Sequence, residues 1–242
     1  HRASGGVLVQ QILLLAQLAA AGCLIAGYRS REAALCGWAL FSSVINRNPL
    51  MAHGGDTLLR MELLLASFAP LASRCSVDAL TNATPPAAAN AAVRSAGVGG
   101  LLLQPLLMYV FAGAFKFFPE WRDPAHYSAV YYALHLDMCA KPAAQWLRTQ
   151  PRLMSLATAV TPLLEQYIAP ALLLCPVRRW QPGARLLGLG LLLGLQLTFL
   201  ATMVLGNFPF IATAAVVPFL PAQAWDASAW DAIAVCARGH AA

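Results

Sequence analysis

Charged residues are scarce in this chain, and lysine is the scarcest of the basic residues. Only 11% of the 242 residues are charged, whereas a soluble domain usually carries about a quarter. Lysine occurs only as Lys116 and Lys141, so arginine supplies nearly all of the positive charge. The basic residues are scattered among short segments and form no tract, which argues against nucleic acid as a partner. The composition therefore disfavours an ordinary soluble domain.

Motifs of several enzyme and metal-binding classes are also missing. The six cysteines include no CxxC pair, so we interpret them as small buried hydrophobes and not as metal ligands or a disulfide framework. No GxSxG, P-loop or dinucleotide-binding fingerprint occurs in a suitable context. His126, His135 and Asp137 lack the i, i+4 spacing of known zinc motifs, and we predict no metal site.

Long apolar runs are abundant instead. Hydrophobic residues make up 59% of the chain, and several runs approach or exceed the roughly 20 residues that a helix needs to cross a bilayer. We predict an all-α, polytopic membrane bundle with about six or seven transmembrane helices, forming one domain over residues 1–242. The predicted spans are residues 7–27, 33–45, 57–72, 99–118, 153–175 and 186–206, followed by a short or re-entrant, proline-broken run at 208–221.

The remaining segments are predicted as loops and interfacial pieces. Residues 73–98 lack apolar periodicity and are predicted to form a loop, whereas residues 120–152 mix aromatic with charged side chains, which is typical of the membrane interface. Arginines in the short turns 28–32 and 176–185 favour a cytoplasmic position for those turns. The first run lacks the features of a signal peptide, so we predict a retained helix. Because methionine does not start the sequence, a fragment missing upstream helices stays open, as does the compartment.

Lys116 lies in the stretch MYVFAGAFKFFPEW, near the end of the fourth predicted span. In one interpretation its stem reaches the lipid headgroups, assisted by Trp121 as an interfacial anchor. In the other, apolar surroundings that include Phe115, Phe117 and Phe118 favour the uncharged amine, which is the form that acts as a base. The burial of the amine separates the two interpretations, and the sequence does not supply it.

Other polar side chains inside apolar runs are candidates for a site. Glu165 lies about halfway along the fifth predicted span, so its carboxylate must be protonated, paired or directed into a cavity. Arg60 or Lys116 could be its partner. Glu62 in the third predicted span needs either a partner on another helix or a polar cavity. Gln196 is the only strongly polar side chain of the sixth predicted span.

The connector between the second and third predicted spans is dense in hydrogen-bonding groups, including Arg47, Asn48 and Asp56. A proline stop, a glycine turn and Asp56 as the N-cap of the next helix explain most of this composition without a function. In the alternative interpretation, Arg47, Asn48 and Asp56 are polar groups of a pocket.

Several short motifs follow one another along the chain. They are Asn46-Arg47-Asn48-Pro49, Gly54-Gly55-Asp56, Ser76-Val77-Asp78, Phe111-Ala112-Gly113-Ala114-Phe115-Lys116 with Glu120-Trp121, and Gly206-Asn207-Phe208-Pro209. Their order and spacing resemble the HTTM (horizontally transferred transmembrane) family, the membrane domain shared with vitamin K-dependent gamma-carboxylase. The resemblance covers roughly residues 30–226.

The resemblance implies chemistry on a hydrophobic quinol. In the carboxylase, a lysine at the place of Lys116 is regarded as the base that deprotonates vitamin K hydroquinone. We therefore hypothesise a carboxylase-like lyase with Lys116 as catalytic base and vitamin K hydroquinone or another quinol as cofactor. The remaining polar candidates would be pocket or structural groups: Arg47, Asn48, Asp56, Arg60, Glu165 and Gln196.

Departures from the family keep other functions open. The carboxylase has paired lysines where this chain has Phe115-Lys116, and Gln196 is the nearest polar residue to a histidine expected in the sixth helix. The sequence stops soon after Trp230, before the large luminal region of the animal carboxylase, which argues against carboxylation of protein substrates. The alternative is a non-catalytic membrane scaffold for lipid binding, transport or partner interaction. A proton-coupled transporter using Glu165 is a third hypothesis, and no protein partner is identified.

Overall fold

The computed structural model describes residues 6–47, 50, 52–71, 76–81, 95–221 and 224, and over these residues its regular elements are helices. The predicted all-α class is confirmed, with one isolated antiparallel bridge between Ala140 and Met203. The helices are α1 (Val7–Ala26), α2 (Ser30–Arg47), α3 (Gly54–Ala66), α4 (Val77–Thr81), α5 (Ala96–Ala114), α6 (Pro119–Arg122), α7 (Ala129–Leu134), α8 (Pro142–Arg148), α9 (Pro151–Leu163), a π-helical turn (Leu164–Ile168), α10 (Ala169–Leu173), α11 (Gln181–Thr202), α12 (Phe208–Val216) and a 3-10 turn (Val217–Phe219).

Within the described residues, four helices are long and apolar enough to cross a membrane. They are α1, α5, α11 and the continuous helix Pro151–Leu173, which comprises α9, the π-helical turn and α10. Helices α1, α5 and α11 correspond to the first, fourth and sixth predicted spans, and the helix Pro151–Leu173 corresponds to the fifth. The fourth ends at Ala114, before the predicted limit, so Lys116 lies just beyond its helix. Residues Phe208–Phe219 form a shorter apolar helix, as predicted for the proline-broken run.

The second and third predicted spans form helices α2 and α3, but neither is among these four. The charged residues Arg31, Glu32 and Arg47 all fall within the 18 residues of α2. Helix α3 has only 13 residues, fewer than the roughly 20 that a crossing requires. The predicted count of six or seven crossings is therefore not confirmed.

The chain forms two compact units, residues 1–101 and 102–242. In the first unit α1 packs on α2, and α2 packs on α3. Helix α4 lies inside the segment predicted as a loop, and its Asp78 carboxylate accepts the backbone N–H groups of Arg29 and Ser30 at 3.0 and 3.2 Å. Because the first N–H groups of a helix lack intrahelical partners, Asp78 stabilises the start of α2.

Gly27 provides a test of this packing. It ends α1 in the left-handed conformation with φ 66°, and an added Cβ would lie 2.3 Å from the Cβ of Ser76. Gly27→Ala should destabilise the protein by roughly 1–2 kcal/mol, because backbone strain and steric overlap act together. Gly22→Ala is the control, since a Cβ there meets no atom within 4 Å. Equal thermal unfolding temperatures for the two purified variants would contradict the described packing.

The second unit is organised around one buried cluster. Its members come from α5, the π-helical turn, α10, α11, α12 and the 3-10 turn: Leu106, Tyr109, Leu164, Ala169, Leu173, Leu192, Val216 and Phe219. Helix α5 approaches the π-helical turn closely at Gly113, where an added Cβ would lie 2.6 Å from the Cβ of Gln166. This close approach places the chain that follows α5 beside the π-helical turn.

The predicted interfacial segment 120–152 contains α7, α8 and most of α6. Its aromatic side chains Tyr131, Tyr132 and Trp146 are exposed, as amphipathic interfacial segments require. Lys141 connects the segment to the end of α11, because its Nζ donates to the carbonyl oxygen of Leu200 at 2.7 Å. The position of this segment at a membrane interface stays a prediction.

Candidate functional site

Lys116 and Glu165 form an ion pair in the second unit, in which Glu165 is buried and Lys116 is largely buried. The Lys116 Nζ donates to the Oε2 of Glu165 and, at 3.0 Å, to the carbonyl oxygen of Ala112. The side chains are 19% and 5% exposed, respectively. The geometry therefore argues against a lysine that reaches out to the lipid headgroups. Arg60 and Lys116 were the two partners considered for Glu165, and the structure shows Lys116 in that position.

The surroundings of the amine differ from the sequence-based expectation. The rings of Phe115, Phe117 and Phe118 are more than half exposed and do not enclose it. The nearest described ring contact is with Trp121, whose centroid lies 5.4 Å from the Lys116 Nζ. A carbonyl oxygen, a carboxylate and an indole face all stabilise an ammonium group. The amine is therefore held by two oxygen atoms and an indole ring and is not enclosed by the phenylalanine rings.

Glu165 is positioned by an irregularity in its helix. Pro162 lies in the last turn of α9 and cannot donate the usual N–H, and a π-helical turn follows directly at Leu164–Ile168. π-Helical turns are rare in proteins, but those that do occur are often found at functional sites. Sequence reasoning missed this turn, although Pro162, three residues before Glu165, is a visible signal of a disturbed helix.

Arg122 is a further residue of the site that the sequence did not single out. Its Nε donates to the carbonyl oxygen of Lys116 at 2.8 Å, and its Nη2 donates to that of Gly113 at 3.2 Å. The same Nη2 donates to the Oε1 of Gln166 at 2.9 Å. The last carbonyls of a helix lack intrahelical donors, and Arg122 supplies a donor to the Gly113 carbonyl at the end of α5. Its hydrogen bond to Gln166 also attaches this end of α5 to the π-helical turn.

A second buried polar pair joins α5 to α11. The Nε2 of Gln196 donates to the hydroxyl oxygen of Tyr109 at 2.9 Å, and both residues are 2% exposed. Gln196 was predicted as a polar candidate, whereas Tyr109 was not. In the predicted span 99–118, Tyr109 lies two helical turns before Lys116, and this spacing was the available signal, although the helix ends at Ala114 and Lys116 itself is not helical.

The predicted role of Asp56 is wrong in detail. Helix α3 begins at Gly54, so its N-cap is His53 and not Asp56. Asp56 is instead the third helical residue, and its carboxylate accepts the backbone N–H of His53 at 2.9 Å. This reciprocal capping arrangement gives Asp56 a structural role.

Over the residues that the structure describes in the first unit, the other candidates do not come together in a shared site. Arg47 is the exposed last residue of α2, and Arg60 is part-buried in α3. The Oε1 of Glu62 is buried without a hydrogen-bond partner among the residues that the structure covers. Asn48 lies outside the described residues.

The last motif of the resemblance starts α12. Gly206 adopts φ 57°, Asn207 occupies the N-cap position, and Phe208 and Pro209 are the first two helical residues. Proline is favoured in the first turn because its missing N–H would have no intrahelical partner there. The motif is thus explained by helix initiation.

The histidines and Asp137 have separate partners. The Nδ1 of His126 lies 2.7 Å from the Oδ2 of Asp123, and the backbone N–H of Ala125 together with this ring holds the pKa of Asp123 below its usual range. The ring of His135 contacts a backbone carbonyl at 2.7 Å, and Asp137 pairs with an arginine at 2.9 Å. In the described ranges, no three metal-ligating side chains come together.

Fold and site together describe an all-helical protein with apolar helices of membrane-crossing length and a buried lysine–glutamate pair. The chain matches no protein-family model, no curated protein and no solved structure. The resemblance to the HTTM family therefore depends on the short motifs alone.

Proposed function

We propose that this chain is a multi-pass integral membrane protein related to the HTTM family, which takes a proton from a hydrophobic quinol at the Lys116–Glu165 pair. The observation that supports the proposal is the direction of the Lys116 amine, which lies against a buried carboxylate. Ionisable groups inside a membrane bundle are costly and usually mark functional sites. The four long apolar helices support the membrane location.

Proton transfer from the quinol to the pair leaves the net charge of the pair and the quinol together unchanged, because the positive charge gained by the pair is matched by the quinol anion. At rest the pair is neutral, either as ammonium with carboxylate or as amine with carboxylic acid. From the second form, the quinol O–H bond breaks, the Lys116 lone pair forms a new N–H bond, and a quinol anion remains. From the first form, the carboxylate of Glu165 takes the same proton. Both routes end with an ammonium, a protonated Glu165 and the quinol anion.

The product state is favoured by its electrostatics. The Lys116 ammonium and the quinol anion attract each other, and this attraction is stronger in a low-dielectric interior than in water. Arg122 holds the backbone of Lys116 from outside the pair, so the amine is positioned before the quinol arrives. By the same resemblance, the quinol anion would react with oxygen in a carboxylase-like reaction.

A non-catalytic membrane scaffold for lipid binding, transport or partner interaction is the second candidate. It is favoured by the groups that already engage the amine, namely the Ala112 carbonyl, the Glu165 carboxylate and the Trp121 ring. A lysine satisfied in this way could serve stability alone.

Oxidation of 2-methyl-1,4-naphthoquinol by the purified protein in lipid nanodiscs tests the proposal. Lys116→Ala should lower the rate about 100-fold, because proton transfer by a positioned group contributes at least this factor. Lys141→Ala is the matched control, since Lys141 also donates to a backbone carbonyl and should retain the rate. An unchanged rate in Lys116→Ala would show that the assigned role is wrong. The absence of any protein-dependent oxidation would favour the scaffold.

A further inference from the structure

The buried pair of Tyr109 and Gln196 is incompletely hydrogen-bonded. The Oε1 of Gln196 is buried and has no hydrogen-bond partner in the part of the chain that the structure describes. The Tyr109 oxygen accepts the Gln196 N–H, so its own hydroxyl hydrogen can be donated elsewhere. A buried polar atom without a partner is costly, because it has lost its hydrogen bond to water and gained none in return.

We infer that Tyr109 and Gln196 form a binding site for a hydroxyl group. A hydroxyl offers one hydrogen and two lone pairs, so it can donate to the Gln196 Oε1 and accept the Tyr109 hydroxyl hydrogen at the same time. A ketone or an ether lacks the hydrogen and leaves Gln196 unsatisfied. Two occupants share the required chemistry, namely the hydroxyl of a quinol and an ordered water molecule.

The Tyr109–Gln196 pair lies in the same unit as the proposed proton-accepting pair of Lys116 and Glu165. Tyr109 lies in α5, seven residues before Lys116, which follows the end of that helix, and it belongs to the same buried cluster as Leu164, the neighbour of Glu165. Both polar pairs therefore lie in the second unit. With a quinol as occupant, the inference rests on the proposed function and adds a consequence: the protein selects the reduced quinol over the oxidised quinone.

Selectivity can be measured by comparing a quinol with an ether that lacks the hydroxyl hydrogens. Dissociation constants for 2-methyl-1,4-naphthoquinol and its dimethyl ether are obtained anaerobically from their partition between empty and protein-loaded nanodiscs. The wild-type protein should bind the quinol about tenfold more tightly than the ether, and Gln196→Leu should lose this preference, which is the size expected for one buried hydrogen bond. Thr198→Val is the control, because the Thr198 hydroxyl bonds to Gly194 within α11. A preference that survives in Gln196→Leu rules out the quinol as occupant.

Water as the occupant is tested by a crystal structure of the wild-type protein, from crystals grown in a lipid mesophase without quinol. An ordered water about 3 Å from both the Gln196 Oε1 and the Tyr109 hydroxyl supports the site with water as occupant. An unoccupied site together with an unchanged ligand preference overturns the inference. If Lys116-dependent quinol oxidation persists in that case, the proposed function stands without the hydroxyl site. A hydroxyl site in a protein that does not oxidise quinol supports this inference and overturns the proposed function.

Discussion

Glu165→Leu should destabilise the protein by about 3–5 kcal/mol, because it leaves the Lys116 ammonium buried without its counter-charge. The side chains of Lys116 and Glu165 are only 19% and 5% exposed, so water replaces the lost carboxylate poorly. Lys116→Met should cost less, since a carboxyl left alone can take up a proton and become neutral. The double variant should recover much of the loss, because apolar replacements of a buried pair are often close to neutral.

A double-mutant cycle measured by reversible unfolding in mixed detergent gives these values. The control is the exposed pair of Arg148 and Asp137, whose Asp137 side chain is 89% exposed. Asp137→Leu should cost less than about 1 kcal/mol, as is usual for surface pairs. If Glu165→Leu costs no more than Asp137→Leu, the pair with Lys116 is not buried and the site described above does not exist.

Gly113→Ala should destabilise the protein by about 3 kcal/mol, at the upper end of the range for overpacking. An added Cβ would lie 2.7 Å from the backbone nitrogen of Gln166 and 2.9 Å from the carbonyl oxygen of Pro162. Backbone atoms cannot rotate away as the end of a side chain can, so the end of α5 must separate from the π-helical turn. The separation should also draw Lys116 away from Glu165 and slow quinol oxidation.

Helix α11 offers matched controls for this substitution. A Cβ added at Gly190 or Gly194 meets no atom within 4 Å, and alanine is the better helix former. Gly190→Ala and Gly194→Ala should therefore leave the unfolding free energy unchanged or raise it slightly. A Gly113→Ala variant as stable as these controls would contradict the close packing of α5 against the π-helical turn.

The long helices were predictable because apolar length is a local property of the sequence. The runs around α1 and α11 extend for 20 and 22 residues and needed no tertiary information. Helices α2 and α3 were also predicted as helices, but their charged residues and short length count against a crossing. The start of α3 was displaced because two glycines before Asp56 suggested a turn, whereas both are helical.

The candidate site was only partly predictable. Lys116 and Glu165 were conspicuous because each is a charged residue in or beside an apolar run, where burial is costly. Their pairing joins positions 49 residues apart and depends on the packing of α5 against the π-helical turn, which no local pattern encodes. Arg122 resembled an ordinary loop arginine, and its role depends on carbonyls that only the folded end of α5 presents.

The most direct test of the central claim uses the two lysines of the chain. In protein labelled with nitrogen-15 lysine and placed in nanodiscs, only Lys116 and Lys141 contribute side-chain amine signals, and Lys141→Arg assigns them. If Lys116 is paired with Glu165, Glu165→Gln should shift the Lys116 signal and leave the Lys141 signal in place. The contrary result is a Lys116 signal that does not shift in Glu165→Gln and is broadened by paramagnetic lipid headgroups. It would place the amine at the membrane surface and contradict the buried pair.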